Sequence, residues 1–271
     1  MIIVGTLTGL SVGKMFMAGA VPGLMLGLGM MITVYILARR RGYPKGSWVG
    51  FVELARSSRA AVWALLMTAI ILYGIVGGFF TPTEASIIAA LYAFVIGLFV
   101  YKGFRLRDVP GLMLESAIGS GGLILLVGLA NVFGWILTSE QIPQTIAAAM
   151  MSLTENKYLI ILMINVLLLI VGTFMETIAA LIILFPPLLA VATQVGIDPI
   201  HFATFAVLNL MIGLTTPPVG VCLFVAANIA KVSLAEISRA IWPFLLCNLI
   251  VLALVSYVPA FSTWLPNLLF R

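Results

Sequence analysis

Charged residues are scarce in this chain: Asp, Glu, Lys and Arg make up 8% of its 271 residues, against about 25% in a typical soluble domain. This scarcity excludes an ordinary water-soluble domain. Hydrophobic residues account for 63% of the chain, and the mean hydropathy is +1.22. Several apolar runs reach the roughly 20 residues needed to cross a bilayer, and they are continuous rather than alternating. The sequence therefore predicts an all-α, polytopic helical membrane protein embedded in the lipid bilayer.

Cysteine and histidine are almost absent. Cys222 and Cys247 both lie in apolar segments, which does not indicate a disulfide framework. The only histidine, His201, follows Asp198 and Pro199 in a predicted outer loop, where we expect an interfacial side chain rather than a metal ligand. Phosphate-binding loops, zinc-ligand spacings and nucleophile motifs are also missing. We therefore expect no enzyme activity and no covalent cofactor.

Nine apolar helices are predicted, at 15–38, 60–78, 84–101, 111–137, 158–172, 177–194, 200–213, 217–230 and 240–265. Eleven of the 14 Lys and Arg residues fall in the connections 39–59, 102–108 and 231–239, which places these connections in the cytoplasm. Lys14, Lys157 and Arg271 then lie outside. The net charge of +5 is dispersed between apolar spans, so nucleic acid is not an expected partner.

The charges conflict with a simple count of crossings between 157 and 231. Four helical pieces lie there, and four full crossings would put Lys231 and Arg239 on the outer side. The conflict disappears if 158–172 and 177–194 form a re-entrant hairpin, and if 200–213 and 217–230 form one broken crossing. Such paired interruptions at membrane depth are typical of secondary-transporter sites. The alternative of six or more plain spans remains open.

Four regions follow from this topology. Residues 1–59 form a linking transmembrane helix and an interfacial arm, and 60–156 form scaffold-like transmembrane helices. Residues 157–231 contain the re-entrant hairpin and the broken helix, which we expect to be the transport region. Residues 232–271 contain an interfacial helix and a C-terminal transmembrane helix.

The predicted break contains GLTTPP at 213–218. Thr216 as N-cap and Pro217 as the first helical residue would make an ordinary helix start. At mid-depth, however, such a start leaves carbonyls before the break and amides after it without water. The carbonyls and the oxygens of Thr215 and Thr216 suit a hard cation such as Na⁺, and the amide end suits a carboxylate.

The predicted hairpin tip is GTFMET at 172–177. Gly172 permits a sharp turn, and Thr173 with Glu176 matches a capping box. Glu176 is the one acidic residue expected deep in the hairpin, where it could cap the tip, coordinate an ion or titrate. Capping is the role we expect.

Three further patterns are structural in our interpretation. Thr81 and Glu84 form a predicted capping box in a stretch that shares Gly-x-x-Thr-Pro with the break. Asn131, Asn165 and Asn209 lie in apolar helices and are expected to form hydrogen bonds between helices. The segments 48–59 and 233–240 are interfacial amphipathic helices or plain linkers.

Seven segments together resemble the large permease subunit of the tripartite ATP-independent periplasmic (TRAP) transporters. They are VGKMFMAGAVPGLMLGL, GGFFTPTEAS, ILTSEQIPQTIA, GTFMETIAALIILFPPLL, GIDPIHF, NLMIGLTTPPVGVCLFVA and the stretch from WPF to WLP. The resemblance implies an elevator-type, sodium-coupled importer of organic acids in the bacterial inner membrane, with a small membrane subunit and a periplasmic substrate-binding protein as partners. It places the sodium and substrate region at Gly172, Thr173, Gly213, Thr215, Thr216 and Pro217, with Glu176 as an ion ligand or cap.

The resemblance covers about the C-terminal 60% of that subunit, with one hairpin and one break where the family has two of each. We therefore expect a possible N-terminal half as a further partner. Two hypotheses follow: a permease portion of an importer of C4-dicarboxylates or sugar acids, or a truncated membrane fragment with a structural role and no transport. The sequence does not identify the organic acid.

Overall fold

The computed structural model describes residues 1–44, 46, 50–154 and 156–270, and the described residues form helices and no strands. The predicted all-α class is confirmed. The α-helices are α1 (Ile2–Thr8), α2 (Val12–Arg40), α3 (Gly50–Val76), α4 (Pro82–Val95), α5 (Val109–Ser139), α6 (Ile142–Leu153), α7 (Lys157–Phe174), α8 (Thr177–Gln194), α9 (Pro199–Gly213), α10 (Val221–Ala230), α11 (Leu234–Ala240), α12 (Trp242–Tyr257) and α13 (Ala260–Leu269). A π-helical turn, Ile96–Val100, continues α4, and a 3₁₀ turn, Leu106–Asp108, precedes α5.

The described helices include enough long apolar segments for a multi-pass membrane protein. By length and composition, four can cross a membrane: α2, α4 with its π turn, α7 and α8. Two bent pairs raise this number to as many as six: Gly50–Arg59 with Ala61–Val76, bent by 48°, and α11 with α12, bent by 50°. Since α7 and α8 are each 18 residues long, the re-entrant path of their hairpin stays a prediction.

The chain divides into two compact units, Met1–Arg41 with Leu126–Arg271, and Gly42–Leu125. In the first unit, α9 is central, because it packs against α2, α7, α8, α12 and α13. Its core includes the tilted ring pair Phe185 and Phe202 and the edge-on pair Phe202 and Phe205. In the second unit, α3 packs against α4. The four-region division made from the sequence stays a prediction.

Several predicted boundaries differ from the structure. The predicted helix 240–265 is two helices, since Pro259 disfavours a helical Val258 and lacks an N–H donor. Helices α1 and α6 were not predicted. Residues 50–59 of the predicted arm begin α3, whereas 48 and 49 lie outside the described residues. The segment 233–240 contains the helix α11, with a capping box between Ser233 and Glu236.

Candidate ion site at a helix tip and a helix break

The ends of α7 and α9 meet at two glycines. A Cβ atom added to Gly213 would lie 2.7 Å from both Cα and C of Gly172, and one added to Gly172 would lie 3.1 Å from the carbonyl oxygen of Leu210. The first distance is shorter than real Cβ contacts, and the second is tighter than most of them. Gly172 is therefore required for close packing of two backbones, and not for the sharp turn that we predicted, because it lies inside the last turns of α7.

A backbone hydrogen bond joins the hairpin tip to the break. The N–H of Gly220, at φ +48°, donates to the carbonyl oxygen of Thr173 at 3.2 Å. Within the break, the N–H of Cys222 donates to the carbonyl oxygen of Leu214 at 3.1 Å. The tip and the break are thus in direct contact through residues more than 40 positions apart in sequence, whereas the sequence had predicted only that they lie at the same depth.

Three threonine hydroxyls at this junction donate their protons to carbonyl oxygens three or four residues earlier in the chain. Thr215 and Thr216 both donate to the carbonyl oxygen of Ile212 at 2.8 Å, and Thr173 donates to that of Leu169 at 2.9 Å. A hydroxyl has one proton and two acceptor lone pairs. Because each proton is already donated, the three hydroxyl oxygens can act only as acceptors. Their lone pairs could therefore coordinate a cation.

The predicted helix start at Thr216 and Pro217 is wrong. Helix α10 begins at Val221 with Gly220 as its N-cap, and no side chain caps it. A proline disfavours the helical conformation of the residue before it, so Pro218 opposes a helix that begins at Pro217. Pro217 instead lies partly buried in the non-helical segment, with a cis peptide bond to Pro218.

Glu176 is the N-cap of α8. Its carboxylate accepts hydrogen bonds from the N–H groups of Ile178 at 2.8 Å and Ala179 at 3.2 Å, and the residue is exposed. The predicted capping role is confirmed, but the predicted capping box with Thr173 is wrong, since Thr173 lies in α7 and its hydroxyl donates to Leu169. Glu176 therefore acts as the cap itself rather than as the third residue of a box.

An amide pair of buried Asn209 and partly buried Asn165 lies near the junction. The Nδ2 of Asn209 donates to Oδ1 of Asn165 at 2.7 Å and to its carbonyl oxygen at 2.9 Å. This confirms the predicted hydrogen bond between helices and ties α7 to α9 one turn before Gly213. The Oδ1 of Asn209 is buried without a donor among the described residues. The side chain of Asn131 lies outside the described part of the chain.

His201 is buried, with 1% of its surface exposed, so the predicted interfacial position is wrong. Its Nδ1 lies 2.6 Å from Oγ of Ser262, and its Nε2 lies 3.1 Å from the carbonyl oxygen of Ser256. These contacts hold the first turn of α9 against α12 and α13. The sequence could not show this burial, because both partners are more than 50 residues away.

The donor set at the junction consists of hydroxyl and carbonyl oxygens. Within the described ranges, no group of three or more His, Cys, Asp or Glu side chains is placed to hold a metal ion. A cation at the junction would therefore be held by neutral oxygens, the ligands that transporters use for Na⁺ at interrupted helices. The residues present fit Na⁺ better than a transition metal, which prefers imidazole or thiolate ligands.

Comparison with known proteins connects this geometry to a family. The family model for the DctM component of the tripartite ATP-independent periplasmic transporters matches residues 1–261. The C4-dicarboxylate TRAP transporter large permease protein DctM of Pseudomonas aeruginosa is 44% identical over 98% of this chain and 62% of its own length. The isethionate TRAP transporter permease protein DctMQ of Oleidesulfovibrio alaskensis is 43% identical over 96% of this chain and 41% of its own length. The sialic acid TRAP transporter large permease protein SiaM of Vibrio cholerae is 39% identical over 99% of this chain and 63% of its own length. The chain thus spans at most about two thirds of these relatives.

Proposed function

This chain belongs to the DctM family of tripartite ATP-independent periplasmic transporters, and we propose that it supplies the transport region of a sodium-coupled importer of organic acids. The family and the apolar helices make it a multi-pass protein of the bacterial inner membrane. The single observation that carries the proposal is the direct contact between the hairpin tip and the helix break, through Gly172 with Gly213 and Gly220 with Thr173.

The contact supports sodium because it brings together two helix C-termini. Helices α7 and α9 both end at the junction, and a helix C-terminus carries a partial negative charge. Two such ends, with the lone pairs of Thr173, Thr215 and Thr216, favour a cation. Sodium bound there would offset the repulsion between the two ends, so sodium binding and closure of the junction are expected to be coupled.

The start of α10 supports an acid group as the co-substrate. Glu176 already caps α8, whereas α10 starts at Gly220 without a side-chain cap. The N–H of Cys222 in its first turn already donates to Leu214, so the dipole of α10 is what would attract a carboxylate. No Lys or Arg occurs between 158 and 230, so a helix dipole and bound sodium would supply the positive charge. C4-dicarboxylate, isethionate and sialic acid, named for the relatives, are all organic acids.

We expect the chain to act in an assembly and without covalent chemistry. By the family's name the system is tripartite and periplasmic, which supports a small membrane subunit and a periplasmic substrate-binding protein as partners. Movement of the hairpin and the broken helix together, as in an elevator, would expose the bound acid to each side of the membrane in turn.

Uptake by the complete transporter that contains this chain tests the proposal. Proteoliposomes are given the binding protein loaded with radiolabelled C4-dicarboxylate, sialic acid or isethionate, under an inward gradient of sodium, potassium or choline. We expect uptake of one of these acids with sodium only. Equal uptake in all three salts would disprove sodium coupling while leaving the family membership intact.

A further inference from the structure

The loop after α4 forms a cavity that the proposed transport function does not use. It has a volume of about 560 Å³ and is lined by Leu98, Phe99, Lys102, Phe104, Arg105 and Leu106. Leu98 and Phe99 belong to the last turn of a candidate membrane span, Pro82–Val100. Lys102 and Arg105 follow the end of this span. The wall of the cavity therefore changes from apolar to basic where a membrane helix ends.

The loop that carries the basic residues is folded back on the helix. The N–H of Tyr101 donates to the carbonyl oxygen of Ile96, and that of Gly103 donates to Gly97, each at 2.9 Å. The Phe104 ring covers Gly97, where an added Cβ would lie 2.7 Å from Cε1 of the ring. The same ring packs against Phe94 at 5.5 Å between centroids. The cavity is thus formed by an ordered loop.

The acidic residue of this loop does not neutralise the cavity. The carboxylate of Asp108 accepts from the backbone N–H of Arg105 at 2.8 Å and lies 3.7 Å from Nε of Arg107. In the part of the chain that the structure describes, the side chains of Lys102 and Arg105 form no ion pair. Two cationic groups therefore face the cavity with their charges available.

We propose that this cavity binds the headgroup of an anionic phospholipid of the cytoplasmic leaflet. A phosphodiester would contact Lys102 and Arg105, since ammonium and guanidinium groups both bind phosphate. The acyl chains would lie along Leu98, Phe99 and Leu106. The order of apolar and basic groups matches that of a phospholipid at the membrane surface, and basic clusters beside cytoplasmic helix ends attract anionic lipids. An acidic protein segment would match the charges but not the apolar wall that continues into the span.

The chain offers a matched control for the two charges. Lys231 and Arg239 lie in another connection predicted to be cytoplasmic, and neither lines the cavity. Lys231 has a left-handed backbone with φ 54°, as Lys102 has with φ 52°. We therefore compare two double variants, Lys102→Gln/Arg105→Gln and Lys231→Gln/Arg239→Gln. Each removes two positive charges, and each places one glutamine at a left-handed position.

The test is native mass spectrometry of the purified full chain, titrated with phosphatidylglycerol or phosphatidylcholine in a nonionic detergent. Each basic group near a membrane surface is worth about a fivefold change in binding. We expect phosphatidylglycerol to bind about 30-fold more weakly to Lys102→Gln/Arg105→Gln, and within a few-fold of wild type to the control. Phosphatidylcholine is expected to bind all three proteins weakly.

Two further variants separate loss of the site from loss of the fold. Circular dichroism checks that each variant is helical, and Arg105→Gln alone, expected to weaken binding about fivefold, replaces the double variant if that one unfolds. The charge-conserving exchange Lys102→Arg/Arg105→Lys is expected to keep binding. Equal losses in the two double variants, no loss in either, or equal binding of both lipids would overturn the proposal. Loss of a co-purifying subunit with unchanged lipid binding would assign the cavity to a protein and would overturn it too.

Discussion

Two stretches of this chain share Gly-x-x-Thr-Pro and have different structures. In the first, Thr81 is the N-cap of α4: its Oγ1 accepts from the N–H of Glu84 at 3.3 Å, and the Glu84 carboxylate accepts from the N–H of Thr81 at 2.8 Å. In the second, the Thr216 hydroxyl donates back to Ile212, and the next helix starts five residues later, at Val221. The first stretch starts a helix, and the second interrupts one.

The residues after the shared motif explain the difference. In the first stretch, Thr83 is not a proline and leaves Pro82 unrestricted, and Glu84 supplies both the N–H and the carboxylate of a capping box. In the second, Val219 has no carboxylate to complete a box, and Pro218 disfavours a helical conformation at Pro217, where the helix would begin. The lesson is that the two residues after the motif decide whether its threonine caps a helix.

The shared glycines differ as well. Gly78 has φ +71° and nothing within 4 Å of an added Cβ, so it serves a left-handed turn. Gly213 has helical geometry and touches Gly172. One glycine is needed for its conformation, and the other for the space that its missing side chain leaves.

The largest expected effect comes from converting the second stretch into the first. Pro218→Thr removes the restriction on a helical Pro217, and Val219→Gln supplies a capping partner, because Gln also completes a capping box. We expect α10 to begin near Pro217 and sodium-driven uptake to fall to background. Uptake by reconstituted transporter measures this.

The reciprocal change, Thr83→Pro with Glu84→Val, is its control. It removes the capping box of α4 and is expected to cost about 1–2 kcal/mol of stability, with no change in the sodium requirement. Wild-type sodium dependence in the first double variant would show that the missing cap has no part in ion binding.

The next effect concerns the two glycines. Gly213→Ala forces a Cβ into Gly172 and is expected to lower the free energy of unfolding by about 2–3 kcal/mol. Gly78→Ala is expected to cost about 1 kcal/mol, the penalty of a left-handed alanine. Gly27→Ala, in α2 with open space around the added Cβ, is expected to raise stability by about 0.5–1 kcal/mol, because alanine has the higher helix propensity. Thermal unfolding of the purified chain ranks the three, and a Gly213→Ala protein as stable as Gly27→Ala would exclude the close contact.

The two motif threonines are expected to respond in different assays. Thr216→Val removes one oxygen and should raise the half-saturating sodium concentration about tenfold, as for loss of one charge-assisted contact, whereas Thr216→Ser should restore it. Thr81→Val should lower stability by about 1 kcal/mol and leave the sodium concentration unchanged. An equal shift of the half-saturating sodium concentration in both valine variants would contradict a specific role of Thr216 in sodium binding.

Glu176→Gln is expected to have the smallest effect. The amide oxygen can still accept from Ile178 and Ala179, so we expect a change below about 0.5 kcal/mol in stability and normal sodium dependence. Glu176→Leu, which has no acceptor, should cost about 1 kcal/mol. Loss of sodium dependence in Glu176→Gln would identify Glu176 as an ion ligand rather than a cap.

Patterns that depend on neighbouring residues were predicted correctly from the sequence. Continuous apolar runs predicted the helical membrane fold, and α8 has the predicted bounds, 177–194. The box at Thr81 and Glu84 was predicted because all of its parts lie within four residues. For Gly172 and Gly213, the Lys and Arg residues of distant connections predicted only that the two segments lie at the same membrane depth. Their direct contact was not predicted.

Features that depend on distant contacts were not predictable. The role of Gly172 became clear only with Gly213 placed against it, since a glycine in sequence does not distinguish a turn from close packing. His201 was taken as interfacial because its partners, Ser256 and Ser262, are remote in sequence. At Thr216, the shared motif predicted a helix start, whereas Pro218 disfavours the helical conformation of Pro217.

The central claim is that sodium binds where the hairpin tip meets the helix break, and hydrogen–deuterium exchange of the chain in sodium or potassium tests it most directly. Sodium is expected to slow exchange of the amides at 172–176 and 212–223, and to leave those at 78–86 unchanged. Exchange at 172–176 and 212–223 that is the same in both salts, or sodium protection of equal size at 78–86, would contradict the claim.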